Sequence, residues 1–242
     1  MVTAIIQART GSTRFPNKVF VDLKGMPMIW HIVERLKVCK KVCKIVIATT
    51  NNPKDDALEK WANENKVECF RGDEDDVLSR YYFSALSVNA KLILRVTADD
   101  PFKDPEITDK VITILQNLQL DFAYNNNPPS FPEGLDTEVF TFKALEYAHF
   151  NAIDPFEREH VTQYFYRNPE LFKQKNLKNN KNISAFRWTI DTELDYKMAN
   201  EVYKYLYKEN EIFLMNDILK LLDQHPEIAD TNKDVKRSAM YK

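Results

Sequence analysis

The sequence predicts an α/β fold in which a mainly parallel β-sheet carries helices on both faces. Three short apolar runs, residues 2–6, 44–49 and 92–97, are typical of strands that are covered on both sides. Segments with helical spacing of apolar residues separate these runs, the first of them from Met28 to Leu36. Because strands alternate with helices, we expect βαβ units, with ligands bound outside the carboxyl ends of the strands.

The remaining segments continue this alternation. Helical spacing predicts helices around residues 58–62, 77–85, 107–118, 144–148, 161–166 and 198–206. Strands are predicted over 67–70, 122–124, 137–142 and 186–190, with a turn-rich interruption over 125–132 and a solvated loop over 173–182. We therefore predict one domain spanning residues 1–242, with an insertion around residues 125–182.

Composition excludes several classes of protein. The 34 basic and 36 acidic residues nearly cancel, which argues against a nucleic-acid partner. Three cysteines without a C-x-x-C pair indicate neither a disulfide framework nor a zinc site. There is no leader pattern and no apolar run near the roughly 20 residues that span a bilayer. We expect a cytoplasmic protein with no membrane partner.

The loop after the first strand concentrates positive charge. Arg9, Arg14 and Lys18 surround Gly11, Ser12 and Thr13, so three cations and several backbone amides can converge on a polyphosphate. The spacing is neither that of the Walker phosphate loop nor G-x-G-x-x-G. The alternative interpretation is a basic surface turn.

Carboxylates follow two other predicted strands. Asp99 comes directly after the strand over 92–97, where it could hold a divalent cation, whereas Asp100 or Asp104 could instead cap the next helix. Asp191 follows the strand predicted over 186–190, and there Asp191 or Thr192 could be a helix cap. Because Mg²⁺ usually takes one or two protein carboxylates, Asp99 and Asp191 would suffice to bind it.

The run from Gln7 to Lys18, with its G-S-T-R-x-P-x-K core, resembles the nucleotide-binding signature of the CTP:sugar cytidylyltransferases, which include enzymes that activate 3-deoxy-manno-octulosonate and sialic-type acids. Blocks at 71–81, 95–101, 132–140, 158–162 and 187–192 follow in family order and are most similar to the spore-coat polysaccharide biosynthesis F-type branch. The resemblance implies a glycosyltransferase-A-like, Rossmann-related fold and CTP as donor. Two departures are Asn17 in place of a frequent glycine, acceptable if its φ is negative, and Ala98-Asp99-Asp100-Pro101 in place of Gly-Asp-Glu-Pro.

The resemblance also implies roles for individual residues. Arg9, Arg14, Lys18 and Asp99 would be catalytic, and Asp99 and Asp191 would hold Mg²⁺. The implied nucleotide-binding set, with triphosphate, base and ribose contacts, is Gln7, Ala8, Arg9, Gly11, Ser12, Arg14, Lys18, Thr49, Gly72, Asp73, Val77, Arg80 and Ala98. The reaction would transfer CMP from CTP to a sugar, acidic sugar or phosphorylated acceptor and release pyrophosphate. A homodimer is expected because relatives are often dimeric.

Acceptor contacts are expected in the later half of the chain. The candidates are Asp136, Glu138, Arg158, His160 and Arg187. Arg158 or Arg187 could clamp the carboxylate of a sialic-type acid, and His160 could be a base, an acceptor ligand or a packed surface residue. Two other functions stay open at this point: a nucleotide-sugar-dependent glycosyltransferase with the same fold, and a non-catalytic homologue that binds a nucleotide or sugar.

Overall fold

A computed structural model of the chain describes residues 1–12 and 14–236, so Thr13 of the basic loop lies outside the described residues. The strands are β1 (Val2–Gln7), β2 (Asp22–Leu23), β3 (Met26–Pro27), β4 (Val42–Thr50), β5 (Glu68–Gly72), β6 (Leu92–Thr97), β7 (Phe122–Tyr124), β8 (Glu138–Thr141) and β9 (Gln174–Asn176). The helices are α1 (Met28–Lys37), α2 (Asp56–Glu64), α3 (Val77–Ser87), α4 (Pro105–Leu118), α5 (Phe142–Asn151), α6 (Pro155–His160), α7 (Gln163–Arg167), α8 (Glu193–Leu206), α9 (Met215–Gln224) and α10 (Pro226–Asp230).

Seven strands form one mixed sheet in the order β5-β4-β1-β6-β8-β7-β9. The first four are parallel, and β8 lies antiparallel between β6 and β7. Gln7 at the end of β1 is in register with Ala48 on one side and Thr97 on the other. The carboxyl ends of the central strands therefore meet at one edge, and the prediction of a mainly parallel sheet is confirmed.

Alternate residues of β1 face two separate apolar layers. Ala4 and Ile6 pack in a cluster with Ile32 of α1, whereas Ile5 packs on the other face with Leu78 of α3 and Leu145 of α5. This two-sided burial explains why Ala4, Ile5 and Ile6 are apolar in succession rather than at every second position. Helices on both faces are thus confirmed.

Three predictions about segments after residue 150 were wrong in detail. Residues 186–190 form no strand ladder, because their backbone bonds go to loops: Trp188 N–H donates to Glu133 O at 2.8 Å and Ile190 N–H to Asp99 O at 2.8 Å. Within the expected solvated loop, β9 extends the sheet beside β7. The helix expected over 161–166 begins only at Gln163, as α7, since Val161 has a φ of 52° in the turn after α6.

Helices α8, α9 and α10 complete the apolar layer that contains α1. Sequence periodicity predicted α8 but not the two shorter helices that follow it. Among residues 1–12 and 14–236, no helix combines the length and the apolar character needed to cross a bilayer.

Candidate active site

A cavity of about 430 Å³ opens at the carboxyl ends of β1 and β6. Its wall near the N-terminal loop is formed by Gln7, Ala8, Arg9 and Arg14, and α3 adds Val77 and Arg80. The opposite wall comes from β6 and the later half of the chain. The cavity thus lies where parallel strands of an α/β sheet usually bind ligands.

Lys18 joins the two candidate metal ligands. Its Nζ lies 2.9 Å from Asp99 Oδ2 and 2.7 Å from Asp191 Oδ1, and it donates to Ile190 O at 3.1 Å. The Lys18 side chain is only 13 % exposed. Arg14 adds a second cation, with its Nη2 at 3.2 Å from Asp191 Oδ1. Three separate segments therefore meet at one charged centre.

The charge states follow from this arrangement. Burial alone would raise the pKa of Asp99, but the adjacent Lys18 ammonium outweighs burial and holds that pKa below its usual range. Burial would likewise lower the pKa of Lys18, yet the two carboxylates raise it above its ordinary value. Both partners are therefore ionised at neutral pH.

Hydrogen bonds to Asp55 hold the N-terminal loop in place. The N–H and hydroxyl of Thr10 donate to Asp55 Oδ1 at 2.7 and 2.8 Å, and Asn17 N–H bonds back to Thr10 O at 3.1 Å. Asn17 has a φ of 56°, so the negative φ that would make asparagine acceptable at this position is not found. Asparagine is among the non-glycine residues that best tolerate this conformation, which explains how it can occupy this position.

The turn between β5 and α3 shapes the nucleotide side. A Cβ on Gly72 would approach Cγ of Arg80 to 3.1 Å, so glycine lets the Arg80 side chain pass. Asp73 accepts N–H bonds from Asp75 and Asp76, and its carbonyl accepts from Arg80 Nη1 at 2.6 Å. Gly72 and Asp73 thus position Arg80, which lines the cavity.

The expected acceptor residues Asp136 and Glu138 take part in a chain of buried polar contacts. Arg95 Nη1 lies 2.5 Å from Glu138 Oε2, and Glu138 Oε1 accepts from the hydroxyls of Thr162 and Tyr166, both at 2.9 Å. Lys103 donates to Asp136 O and lies 3.4 Å from Asp100 Oδ2. Burial raises the pKa of Asp100 to about 6 and that of Asp136 well above its ordinary value.

Comparison with known proteins identifies the family. Residues 3–226 match the sequence profile of the Cytidylyltransferase family. The chain belongs to the cytidylyltransferase family. The chain is 38 % identical over 240 residues to the uncharacterized protein MJ1063 of Methanocaldococcus jannaschii, covering 98 % of this chain and 97 % of that one. It is 32 % identical to the spore coat polysaccharide biosynthesis protein SpsF of Bacillus subtilis, covering 93 % of this chain and 95 % of that one.

Of three further relatives, one matches about half of the chain, one matches nearly all of it, and one shares only the fold. The 3-deoxy-manno-octulosonate cytidylyltransferase of Geobacter sulfurreducens is 33 % identical over 114 residues, 47 % of this chain and 45 % of that one. A cytidylyltransferase from Leptospira borgpetersenii superposes with a TM-score of 0.90 at 32 % identity and 98 % coverage of both chains. A CMP:2-keto-3-deoxy-manno-octonic acid synthetase complexed with CTP shares the fold, with a TM-score of 0.62 at 16 % identity, covering 84 % of this chain and 98 % of that one.

Within this cytidylyltransferase, the structure separates the expected donor residues by position. Six of them, together with both aspartates, line the cavity: Gln7, Ala8, Arg9, Arg14, Val77 and Arg80, with Asp99 and Asp191. Gly11 and Ser12 lie in the adjacent turn, where Ser12 N–H bonds to Thr10 O at 2.9 Å. Thr49 and Ala98 are buried at or just beyond strand ends. These four are outside the described cavity lining, and so are Lys18, Gly72 and Asp73 of the expected set.

Two expected acceptor residues of the cytidylyltransferase lie outside this lining. Arg158 donates to Asp76 Oδ2 at 2.7 Å and to Ala152 O at 2.9 Å. Arg187, only 4 % exposed, is 2.6 Å from Glu133, 3.0 Å from Asp191 and 2.9 Å from Asp195. In this structure, neither guanidinium is presented to the cavity as a clamp. Asp136, Glu138 and His160 do line it.

Helix capping is also resolved in this structure. Asp104 is the N-cap of α4 and accepts from the N–H groups of Glu106 and Ile107. Thr192, not Asp191, caps α8 in a reciprocal capping box with Asp195. Asp99, Asp100 and Asp191 are therefore not N-caps, and all three line the cavity.

Sequence reasoning missed several cavity residues. Arg95, Lys103, Gly134 and Thr189 all line it, and Gly134 has a φ of 99° with a hypothetical Cβ only 2.7 Å from Thr189 N. Arg95 carried a usable signal, because it is an arginine inside an otherwise buried apolar strand. The others gave no local pattern that distinguished them.

Proposed function

We propose that this cytidylyltransferase transfers CMP from CTP to an acidic sugar, or to a related sugar or phosphorylated acceptor, during surface polysaccharide or glycoconjugate biosynthesis. The observation that supports this proposal is that Lys18 pairs with both Asp99 and Asp191 beside the arginine-lined cavity. Relatives whose names specify 3-deoxy-manno-octulosonate and spore coat polysaccharide support this acceptor class.

The donor side suits a triphosphate. Arg9 and Arg14 are 47 % and 57 % exposed, so their guanidinium groups can reach phosphate oxygens. Asp191, the buried partner of Arg14, would keep its contacts with Lys18 and Arg187. Val77 and Arg80 lie across the opening, where they would contact the nucleoside. We assign Arg9, Arg14 and Lys18 the role of offsetting charge on the departing pyrophosphate. The structural relative complexed with CTP supports this donor.

We propose Mg²⁺ as the cofactor and Asp99 and Asp191 as its ligands. Both carboxylates lie within hydrogen-bonding distance of the same Lys18 nitrogen, so they can face one cation. Among the described residues, no group of three or more His, Cys, Asp or Glu is arranged as a metal site. Two carboxylates nevertheless fit Mg²⁺, which fills its remaining positions with water and phosphate oxygens. When bound, Mg²⁺ would polarise phosphate oxygens and neutralise their charge.

In the proposed reaction, a hydroxyl or phosphate oxygen of the acceptor attacks the α-phosphorus of CTP. The new bond joins this oxygen to the α-phosphorus, and the bond to the bridging oxygen of pyrophosphate breaks. If the attacking group is a hydroxyl, its proton passes to water. No covalent intermediate with the protein is needed. The protein contributes by holding the two substrates in line and by stabilising the leaving group.

A pyrophosphate-release screen tests this function. We would cross four nucleoside triphosphates with acidic sugars, neutral sugars and phosphorylated small molecules, with and without Mg²⁺. CTP with an acidic sugar should release pyrophosphate, and Asp99→Asn should reduce the rate about a hundredfold, on the order of 3 kcal/mol. Asp223→Asn, a change at an exposed residue of α9, is the matched control. A folded Asp99→Asn protein with full activity would contradict the assignment.

We also propose a cytoplasmic homodimer that binds neither nucleic acid nor membrane. An exposed aromatic surface on α3 and α5 supports self-association: the rings of Phe83 and Phe150 both pack beside His149 and are 45 % and 69 % exposed. Sedimentation equilibrium should give the dimer mass, and Phe150→Glu should shift the mass to that of the monomer. A monomeric wild-type protein would exclude the dimer.

A further inference from the structure

Arg95 is a buried cation at the acceptor side of the cavity. It lies in β6, four residues before Asp99, and its side chain is 7 % exposed. Unlike Arg158 and Arg187, it contributes to the cavity wall. A charged group in this position is unfavourable unless it is paired and serves the site, because burial removes its hydration.

A rigid set of contacts fixes the orientation of Arg95. Its Nη1 donates to Glu138 Oε2 at 2.5 Å. The other oxygen of Glu138 accepts from Thr162 and from Tyr166, so the carboxylate cannot rotate without breaking these bonds. The guanidinium is therefore held before any ligand arrives, which lowers the entropy lost on binding.

The hydrogen-bonding capacity of Arg95 is not exhausted by Glu138. Its Nε is buried and has no hydrogen-bond partner among the described residues. A neighbouring cation, Lys103, already donates to Asp136 O and lies near Asp100. Arg9 and Arg14 also line the cavity, and the proposed function assigns both of them to the triphosphate. Arg80 lines the cavity too, but the proposed function assigns it to the nucleoside, so Arg95 is the arginine left for a second anion.

His160 lies in the same part of the cavity. Burial and the positive charge of Arg95 lower its pKa, while Glu159 on the same helix opposes them. The His160 ring also packs edge-on against Phe156 with centroids 4.4 Å apart. An anion bound at Arg95 would neutralise part of the charge that His160 senses, which makes this histidine a reporter of occupancy.

We propose that Arg95, oriented by Glu138, binds the anionic group of the acceptor, a carboxylate or a phosphate, with His160 beside it. This inference rests on the proposed function, since it assigns the acceptor half of the same cavity. It replaces the expected clamp by Arg158 or Arg187 with a residue on the strand that leads to Asp99. A planar guanidinium is well suited to either anion because it can donate two parallel bonds.

The test follows the four histidines of the chain by NMR, with His160→Gln identifying the His160 signal. The pH titration is repeated with 3-deoxy-manno-octulosonate, inorganic phosphate and neutral mannose. CTP is present and Mg²⁺ is withheld, so that phosphate does not occupy the triphosphate loop and no turnover occurs. In the wild type, the octulosonate or phosphate should raise the pKa of His160, and mannose should not. The anion that responds shows whether the site binds a carboxylate or a phosphate.

Variants then isolate Arg95. Arg95→Gln combined with Glu138→Gln avoids a buried unpaired carboxylate, and Arg95→Lys keeps the charge but loses the planar donor pair. Both should abolish the anion response of His160 and raise the acceptor KM at least tenfold, while the Kd for CTP changes less than twofold. Arg167→Gln, an exposed arginine of α7, is the matched control.

The outcomes separate the two proposals. If the wild type binds CTP but neither anion shifts His160, or if a variant that still binds CTP keeps the response, the assignment of Arg95 is wrong. If the double variant no longer binds CTP, the anion response of His160 in Arg95→Lys alone decides whether the assignment of Arg95 is right. Absence of CTP binding and of pyrophosphate release in the wild type would instead contradict the proposed function.

Discussion

The ammonium nitrogen of Lys18 lies 2.7 Å from Oδ1 of Asp191, although 173 residues separate the two in sequence. The same nitrogen reaches Asp99 at the end of β6. Lys18 therefore connects the N-terminal loop to both carboxylates and keeps them close despite their like charge. The position of one lysine determines whether the candidate active site is assembled.

Lys18→Met should inactivate the enzyme more than it destabilises the fold. The change removes the cation between two carboxylates and one positive charge near the leaving group, so we expect kcat/KM to fall about a hundredfold, on the order of 3 kcal/mol. Steady-state pyrophosphate release would measure this loss. Lys197→Met, at an exposed position of α8, should leave kcat/KM unchanged. Equal effects of the two changes would contradict the role of Lys18.

Arg187→Met should lower the free energy of unfolding by about 3–5 kcal/mol, because it leaves buried carboxylates without their cation. Arg187 contacts Glu133, Asp191 and Asp195 and is almost fully buried. Urea unfolding at neutral pH would measure the loss. Arg167→Met breaks the pairs of a half-exposed arginine with Asp154 and Glu157 and should cost about 1 kcal/mol. Similar losses of unfolding free energy in both variants would show that Arg187 is not needed to stabilise the buried carboxylates.

Gly134→Ala should destabilise the protein far more than Gly25→Ala. Both glycines have positive φ, 99° and 86°, so each alanine is strained by roughly 1–2 kcal/mol. Only at Gly134 would the new Cβ also strike backbone atoms, at 2.7 Å from Thr189 N and 2.8 Å from Trp188 C. We expect an additional loss of about 2 kcal/mol in urea unfolding and reduced activity. Equal destabilisation would mean that the 188–189 segment can move freely.

Lowering the pH should reduce the free energy of unfolding because His31 is buried in its neutral form. Burial lowers the pKa of His31 to about 4, whereas an unfolded chain has the ordinary value near 6.5. Between these two values the unfolded state binds a proton that the folded state does not, so stability falls as pH drops from 6.5 to 4. The full contribution is about 3 kcal/mol.

The change that isolates this effect is His31→Gln, which keeps a donor for Leu23 O. Its unfolding free energy should decrease less than that of the wild type between pH 7 and pH 4.5. His225→Gln, at a half-buried position after α9, should retain the wild-type decrease. Parallel pH curves for the wild type and His31→Gln would contradict the prediction.

Local pattern was sufficient for much of the fold. Apolar runs located β1, β4 and β6, and their shared edge correctly brought Asp99 near the N-terminal loop. Local pattern gave a wrong prediction where a segment is buried like a strand but does not form the backbone hydrogen bonds of a strand. The 186–190 segment has the buried residues of a strand, yet its backbone bonds go to the Glu133 and Asp99 loops. Such pairing depends on distant segments that no local period records.

In the candidate site too, local sequence indicated some residues, whereas other contacts depend on distant segments. The sequence indicated the cations of the loop and both aspartates, because each follows an apolar run directly. It did not reveal that Arg187 is enclosed by three carboxylates or that Arg158 faces Asp76. An arginine's role depends on which carboxylates the fold places beside it, and the sequence spacing of 82 residues between Asp76 and Arg158 contains no such information.

The Asn232 amide has a consequence for how the protein is made. It donates to the carbonyl of Arg187 at 3.0 Å and to Oδ1 of Asp195 at 2.8 Å, within the group of side chains that holds Asp191. During synthesis, the parallel strands can pair as soon as residue 97 has left the ribosome. The carboxylate pair gains its last support only after residue 232 emerges, so a nascent chain can be largely folded and still lack a finished catalytic centre.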